Sequence, residues 1–466
     1  MSKPTLDRRH FLKWMGLGTA GLGFSRVIPE GHSLGPEGAR FDTPAEYGSF
    51  LVEKLVEGRF PYECKPDVLK RMSEKSTTFS RNVWDADRRS RLVLLEDVGY
   101  LNLVEGEGKL PDQTRLDYAL MAAAWHNATT NYDPSYQWDL HSGMVQDLGL
   151  HKFDPWNPGD NEMSWEEASQ AVKHAALFYG ASLAGIAELN PLWLYSDHFS
   201  PTPEDRARAI PVLSDGDRFE QTEETRYIPK SMNRVIALAF EEDFYAIANS
   251  PGRLASAACG NGYSRMAFTS STLAEFIRGL GYRAIPAGNG VGLSIPMAID
   301  AGLGQLGRLG LLITPKYGPR VRLAKVITDM PLVPDSPIDF GVTEFCEDCL
   351  LCSKDCPSES ISPGPRTWKG TSPSNNPGVL KWYVESESCY DFNGFSCSNC
   401  KRVCPFTKPN NSWLHRVIRK VIEGRINPVN RLMVNLDQAS GYGEQLPAKE
   451  FWAKDGQKSI TSRESM

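Results

Sequence analysis

Cysteine spacing constrains this chain more than any other feature of its sequence. Eight of the ten cysteines lie between residues 346 and 404, and the remaining two are Cys64 and Cys259. A first run, Cys-x2-Cys-x2-Cys-x3-Cys-Pro, contains Cys346, Cys349, Cys352 and Cys356. A second run, Cys-x2-Cys-x3-Cys-Pro, contains Cys397, Cys400 and Cys404, and Cys389 lies eight positions upstream. A disulfide framework would not place its cysteines in triplets at two-residue intervals.

The two runs predict two [4Fe–4S] clusters. Three thiolates at two-residue intervals can wrap three corners of a cube, and a fourth cysteine followed by proline leads toward a second cube. Because pseudo-symmetric ferredoxins exchange their fourth ligands, we expect one cluster to be held by Cys346, Cys349, Cys352 and Cys404. We expect the other to be held by Cys356, Cys389, Cys397 and Cys400. Two structural zinc sites are the alternative, since zinc also takes Cys-x2-Cys pairs, but the triplet and the two Cys-Pro pairs favour clusters.

Residues 1–35 are typical of an export signal and not of a fold element. Arg8 and Arg9 begin the pattern Arg-Arg-His-Phe-Leu-Lys, and a weakly apolar, glycine-rich run follows from residue 14 to residue 28. This run is too short to span a bilayer, which needs about 20 apolar residues. The pattern predicts export by the twin-arginine (Tat) pathway, and a chance arginine pair in a disordered tail is the alternative.

Length and composition predict a globular protein of two or three domains. The chain has 466 residues, of which 41% are hydrophobic and 23% charged, as in ordinary globular proteins. Its net charge is −6. Because nucleic acid is usually met by a basic surface, we expect no nucleic-acid partner.

Local patterns predict an α+β fold. Apolar spacing predicts helices over residues 112–128 and 164–177, and strands near Ile285 and over 311–314 and 321–327. Residues 234–247 and 270–280 fit either helix or strand. We expect an N-terminal region (36–160), a core (161–335), a ferredoxin-like domain with two clusters (336–410) and a C-terminal tail (411–466).

One glycine motif suggests a nucleotide site without supporting it. Gly302, Gly304 and Gly307 satisfy G-x-G-x-x-G, but a dinucleotide site needs this turn to open a helix. A strand-like segment and Pro315 follow too soon for such a helix. We expect these three glycines to allow a close approach of the backbone, against a flat cofactor.

Several segments together resemble one enzyme family. They read Phe-Ile-Arg-Gly-Leu-Gly-Tyr (276–282), Ser-Ile-Pro-Met-Ala-Ile-Asp-Ala-Gly-Leu-Gly (294–304), Leu-Leu-Ile-Thr-Pro-Lys-Tyr-Gly-Pro-Arg-Val-Arg (311–322) and Thr-Asp-Met-Pro-Leu (328–332). With the Tat pattern and both cysteine runs, the chain resembles the respiratory reductive dehalogenases, most densely from about residue 255 to residue 406. Epoxyqueuosine reductases share the later core, but they act in the cytoplasm and lack a Tat signal.

The resemblance implies a corrinoid bound base-off in a nitroreductase-like core, fed with electrons by the two clusters. It implies reductive removal of halide from an organohalide in anaerobic organohalide respiration, with electrons from an external donor. It also implies a peripheral position on the outer face of the cytoplasmic membrane, where a small, separately encoded membrane protein acts as the anchor.

The resemblance further implies three catalytic residues. The family's proton-donating Tyr matches Tyr263, its Asn matches Asn289, and its basic side chain matches Arg322, with Arg308 and Arg320 as alternatives. A cation beside a phenol favours the phenolate, which makes the phenol a better proton donor.

Two other functions stay open from the sequence. The chain could be an exported two-cluster electron-transfer protein, or a corrinoid reductase related to epoxyqueuosine reductase. A corrinoid in the purified protein would distinguish the enzyme from the electron carrier.

Overall fold

A computed structural model describes residues 53–88, 163–199, 208–393, 397–407 and 427–453, except residues 57, 215, 223 and 440, together with five helical residues between 117 and 124. Those five residues agree with the helix predicted over 112–128. The predicted Tat signal, most of the N-terminal region and much of the tail lie outside the described residues. The described residues from 53 to 448 belong to one compact unit.

The secondary structure elements are numbered here in chain order. The strands are β1 (Glu53–Lys54), β2 (Leu183–Glu188), β3 (Asp197–Phe199), β4 (Ala209–Leu213), β5 (Glu220–Gln221), β6 (Arg226–Tyr227), β7 (Arg234–Glu241), β8 (Ala284–Ala287), β9 (Gln305–Leu306), β10 (Leu312–Ile313), β11 (Val321–Thr328) and β12 (Ile338–Asp339). The α-helices are α1 (Thr78–Trp84), α2 (Trp165–Phe178), α3 (Phe244–Ala248), α4 (Arg253–Gly279), α5 (Ser294–Asp300), α6 (Val342–Cys349), α7 (Leu351–Lys354), α8 (Ser386–Asn393), α9 (Asn399–Arg402), α10 (Asn427–Ala439) and α11 (Ala448–Trp452).

A four-stranded antiparallel sheet forms the centre of the molecule, with strand order β2–β7–β11–β8. Strand side chains alternate between the two faces of a sheet, and both faces are buried here. On β7, Ile236, Leu238 and Phe240 join one core cluster, whereas Val235 and Ala237 join another on the opposite face. Helices α2 and α4 cover the first face, and α5 packs on the second.

The N-terminal end of α2 is set by local sequence. Ser164 accepts a hydrogen bond from the backbone N–H of Glu167, whose side chain bonds back to the backbone of Ser164. This capping box satisfies backbone donors that the first turn leaves unpaired. The helix predicted over 164–177 is therefore confirmed.

The other local predictions meet mixed outcomes. Strands β8, β10 and β11 confirm the predicted strands, and the ambiguous segment 234–247 is strand β7 followed by the short helix α3. The second ambiguous segment, 270–280, is the end of the 27-residue helix α4. Tyr263 is the eleventh residue of α4 and lies well inside the helix.

A buried carboxyl group ties the segment before α1 to the core. Asp300, the last residue of α5, accepts hydrogen bonds from Tyr62 Oη at 2.6 Å and from Trp193 Nε1 at 2.8 Å. Burial raises the pKa of Asp300 to about 6.

The cysteine runs lie on short helices that follow the central sheet. Helices α6 and α7 carry the first run, α8 and α9 carry the second, and α10 packs against α6. Within the described ranges, no helix has the length and apolarity needed to cross a membrane.

Candidate active site and cluster sites

The two cysteine runs fold into equivalent turns. In each run, a residue with a left-handed backbone directly follows the first cysteine of one Cys-x2-Cys pair. This residue is Leu350 in the first run, with φ of 56°, and Ser398 in the second, with φ of 52°. Non-glycine residues rarely adopt this region. The turn brings a backbone N–H onto the preceding cysteine sulfur, from Leu351 onto Cys349 and from Asn399 onto Cys397. Hydrogen bonds to the cysteine sulfurs are one of the factors that set the reduction potential of a cluster.

The first predicted ligand set surrounds one cavity. A single cavity is lined by all four members, Cys346, Cys349, Cys352 and Cys404. Apolar side chains enclose it, among them Leu309, Phe345 and Phe406. Four thiols around one cavity are the donor set that a [4Fe–4S] cube requires, so these residues fit the cluster predicted for them.

Burial holds these cysteines as thiols when no metal is bound. It raises the pKa of Cys346 to about 11 and that of Cys349 to about 12, and neighbouring cysteines add to the shift of Cys349. A bound metal needs thiolates, so cluster binding must release protons. Cluster assembly is therefore linked to pH.

The second predicted set also groups together. Burial raises the pKa of Cys389 to about 12, with further contributions from Cys397 and Cys356, and the same three sulfurs raise the pKa of Cys400. Among the described residues, no three or more His, Cys, Asp or Glu side chains are arranged to hold a single metal ion. Thiolates at the corners of a cube lie farther apart than the ligands of one zinc ion, each about 2.3 Å from the metal.

The structure brings the three predicted catalytic residues together. Asn289 Nδ2 donates a hydrogen bond to Tyr263 Oη at 3.0 Å, and Arg322 Nη1 lies 3.5 Å from the same oxygen. The guanidinium carbon of Arg322 is 4.9 Å from the centre of the Tyr263 ring. Tyr263 is half-buried and Asn289 is exposed. The Arg322 guanidinium thus lies against the Tyr263 phenol, which is partly exposed.

A buried carboxylate fixes the arginine in this position. Glu242 follows the end of β7, and its Oε1 lies 3.1 Å from Arg322 Nε; its Oε2 pairs with Lys401 Nζ. Burial alone would raise the pKa of Glu242, but Lys401 and Arg322 hold it below its ordinary value. Burial alone would lower the pKa of Arg322, but Cys259 and Glu242 raise it. Glu242 and Arg322 are therefore both ionised.

Helix α4 leaves room for the arginine by means of a glycine. A Cβ atom on Gly262 would lie 2.7 Å from Cγ of Arg322, close to the base of that side chain. Arg322 Nη2 also lies 2.7 Å from the sulfur of Cys259, one turn earlier on the helix. Gly262 precedes Tyr263, so the residue that admits the arginine is adjacent to the phenol that it contacts.

A buried lysine secures the loop that carries Asn289. Lys325 Nζ donates to the carbonyls of Gly288 and Gly292, both at 2.8 Å, and to Oγ of Ser294 at 3.0 Å. Between them, Val291 has φ of 68°, a costly conformation for a β-branched residue. The loop is therefore held in one shape by contacts to β11, the strand that also carries Arg322.

The two alternative arginines make other contacts. Arg320 pairs with the Glu241 side chain at 3.1 Å and with the Glu242 carbonyl. Arg308 lines the cluster cavity and donates to the Cys346 carbonyl. The geometry thus favours Arg322 as the partner of Tyr263.

The three motif glycines are accounted for by the chain itself. A Cβ on Gly302 would lie 2.5 Å from the carbonyl of Ser336, and one on Gly307 would lie 2.5 Å from the side chain of Ile313. A Cβ on Gly304 would meet the Ile313 carbonyl. The absence of a Cβ is thus required by backbone packing. Their contact with a corrinoid stays a prediction.

Sequence reasoning missed four side chains that build the site: Glu242, Cys259, Lys325 and Lys401. Cys259 was expected to be an ordinary thiol, and the other three were not singled out. The one local signal for Lys401 was its position directly after a cluster cysteine, and its burial is visible only in the structure. Glu242 and Lys401 are 159 positions apart, so no local pattern could pair them.

Comparison with known proteins confirms the resemblance. No family model matches the chain. It is 40% identical over 297 residues to the tetrachloroethene reductive dehalogenase of Sulfurospirillum multivorans, covering 61% of this chain and 59% of that protein. It is 39% identical over 332 residues to the tetrachloroethene reductive dehalogenase of Desulfitobacterium hafniense, covering 62% and 59%. The chain thus spans about 59% of the length of these curated relatives.

A solved structure supports the fold. The catabolic reductive dehalogenase NpRdhA matches with a TM-score of 0.60 at 18% sequence identity, covering 85% of this chain and 49% of that one. The chain is therefore related in sequence to reductive dehalogenases and shares with NpRdhA a mixed arrangement of helices and strands.

Proposed function

We propose that this protein is a reductive dehalogenase that converts an organohalide by R–X + 2e⁻ + H⁺ → R–H + X⁻. One observation carries the proposal: Tyr263, Asn289 and Arg322 meet in one site, and the buried pair Glu242–Lys401 connects that site to a cysteine run. The two curated relatives named above bear the name of this activity. Electron transfer alone does not require a partly exposed phenol beside a cation.

Two kinds of cofactor would supply the redox chemistry. A corrinoid, when bound, supplies a low-valent cobalt that reduces the carbon–halogen bond, and the clusters deliver electrons one at a time. The cavity lined by four cysteines fits a cluster, which supports a ferredoxin-like domain with two [4Fe–4S] clusters. Tyr263, which is half-buried, and Asn289, which is exposed, would face a corrinoid that the resemblance implies to be base-off in a nitroreductase-like core.

The protein's own part in the reaction is delivery of the proton. Tyr263 holds the proton that replaces the halogen on carbon. After transfer, Arg322 and the Asn289 amide stabilise the phenolate, because both direct N–H groups at its oxygen. Glu242 keeps Arg322 aligned with the phenol, so this stabilisation needs no rearrangement.

We further propose that the protein works outside the cytoplasm. The Tat pattern supports export, and the resemblance supports a peripheral position on the outer face of the cytoplasmic membrane. A small membrane protein would anchor it there, and an external donor would supply electrons. The substrate is an organohalide, and tetrachloroethene is the first to test because both relatives bear its name.

The proposal is tested by halide release. The protein is produced anaerobically with corrinoid and assayed with reduced viologen and tetrachloroethene. General acid catalysis contributes about 10²–10⁴-fold, so we expect Tyr263→Phe to lose at least a hundredfold in rate while its iron and cobalt contents stay unchanged. Tyr227→Phe, which alters a phenol on the small sheet beneath Arg218, is the matched control and should keep full activity. Halide release by Tyr263→Phe at the wild-type rate would exclude this proton donor.

A further inference from the structure

Arg308 is a buried cation at the first cluster site. It is 2% exposed and lines the same cavity as Cys346 and Cys404. Its Nε donates to the Cys346 carbonyl at 3.0 Å, and its Nη1 donates to the carbonyls of Ser362 and Gly364, both at 2.8 Å. The guanidinium also lies 4.4 Å from the centre of the Trp382 ring. These contacts fix the position of the charge.

The charge of Arg308 has no carboxylate partner among the described residues. Its recorded acceptors are neutral backbone carbonyls, and no ion pair in that part of the chain includes it. Nearby Glu347 has an exposed side chain and pairs with Arg366 at 3.5 Å. Burial lowers the pKa of Arg308, and the thiolate forms of Cys346, Cys352 and Cys349 act against that shift. A guanidinium stays protonated in proteins.

Two cations beside the second cysteine set are each paired with a carboxylate. Lys401 follows Cys400 and pairs with Glu242, while Arg402 pairs with Asp355 at 3.0 Å. Arg308 thus lacks the carboxylate partner that Lys401 and Arg402 have, although the turns of the two runs are equivalent. This difference has an electrochemical consequence, because a cluster gains one negative charge on reduction.

We propose that Arg308 raises the reduction potential of the cluster bound by Cys346, Cys349, Cys352 and Cys404. A fixed cation stabilises the more negative, reduced cluster, and the apolar surroundings strengthen that interaction. This inference rests on the proposed function, since it requires both clusters.

The test is a redox titration of the holoprotein followed by electron paramagnetic resonance. Arg308→Gln removes the charge, and Arg308→Lys keeps it. We expect Arg308→Gln to shift the reduced-to-oxidised ratio of one cluster at least tenfold toward oxidised at a fixed potential, equal to about 59 mV for one electron. The second cluster and the Arg308→Lys variant should keep the wild-type midpoints. A Cys404→Ser variant assigns the signals to the two clusters.

Arg366→Gln is the matched control. Arg366 faces the same Trp382 ring at 5.9 Å and is paired with acidic side chains, so its removal should shift neither midpoint. An unchanged midpoint in Arg308→Gln, or an equal shift of both clusters, would overturn the inference. If Arg308→Gln does not retain its clusters, Arg308→Lys decides, since a lowered midpoint there would show that the hydrogen bonds matter and not the charge. Wild-type protein with fewer than two clusters would instead contradict the proposed function.

Discussion

Replacing Glu242 by Gln removes the one negative charge between two buried cations. The side chain of Glu242 is fully buried, that of Lys401 is 5% exposed and that of Arg322 is 23% exposed. Removing one partner of a buried ion pair costs about 3–5 kcal/mol, because the charge left behind is uncompensated. We therefore expect Glu242→Gln to lower the free energy of unfolding by about that amount and to lower kcat, since Arg322 loses the group that aligns it with Tyr263.

The assay is anaerobic denaturant unfolding of the holoprotein beside a matched control. Glu220→Gln breaks a pair with Arg218 in which the side chains are 44% and 54% exposed, and exposed pairs contribute about 0–1 kcal/mol. We expect a clear midpoint shift for Glu242→Gln and almost none for Glu220→Gln. Adding Lys401→Met to Glu242→Gln should recover part of the loss, because it removes one unpaired cation. Equal shifts in the two single variants would refute the reasoning.

Two further substitutions test how the site is built, and a third tests the buried carboxyl group at the end of α5. Lys325→Met should release the loop that carries Asn289 and lower kcat at constant cluster content; wild-type kcat would contradict that role. Gly262→Ala should displace Arg322 and lower kcat, measured beside Gly279→Ala, where a Cβ meets open space; equal kinetics in the two variants would show that the site tolerates a Cβ. Asp300→Asn should alter the pH dependence of unfolding. Burial raises the pKa of Asp300 from 3.8 to about 6, so the folded state binds this proton more tightly. Its contribution is present below pH 4 and is lost as pH rises through 6, by about 3 kcal/mol. The stability of the Asn variant relative to wild type should therefore rise between pH 4 and pH 7, and parallel curves would contradict the assignment.

The cluster ligand sets could be predicted because their information is local. Spacing of two residues brings three thiolates to one cube, and the fourth ligand came from the exchange seen in pseudo-symmetric ferredoxins. The cavity lined by Cys346, Cys349, Cys352 and Cys404 agrees with the predicted set. The left-handed turns at Leu350 and Ser398 could not be predicted, since nothing in a Leu or a Ser favours that backbone. They exist because the surrounding fold imposes them.

The three catalytic residues were predicted from the family resemblance. The side chains that hold them in position could not be predicted in that way. The sequence left residues 270–280 open between helix and strand, whereas the structure has one helix over Arg253–Gly279 that runs through Gly260 and Gly262 and packs on the central sheet. Glu242 and Arg322 are neighbours through the pairing of β7 with β11. Register between strands 80 positions apart is a tertiary property, which a single sequence does not display.

The most direct test of the account is metal analysis of wild-type protein purified anaerobically with corrinoid, combined with its visible spectrum. The account predicts about eight iron atoms, for two four-iron clusters, and about one cobalt per chain, with a corrinoid spectrum. The same iron content without cobalt, despite supplied corrinoid, would contradict the dehalogenase proposal and indicate a two-cluster electron carrier.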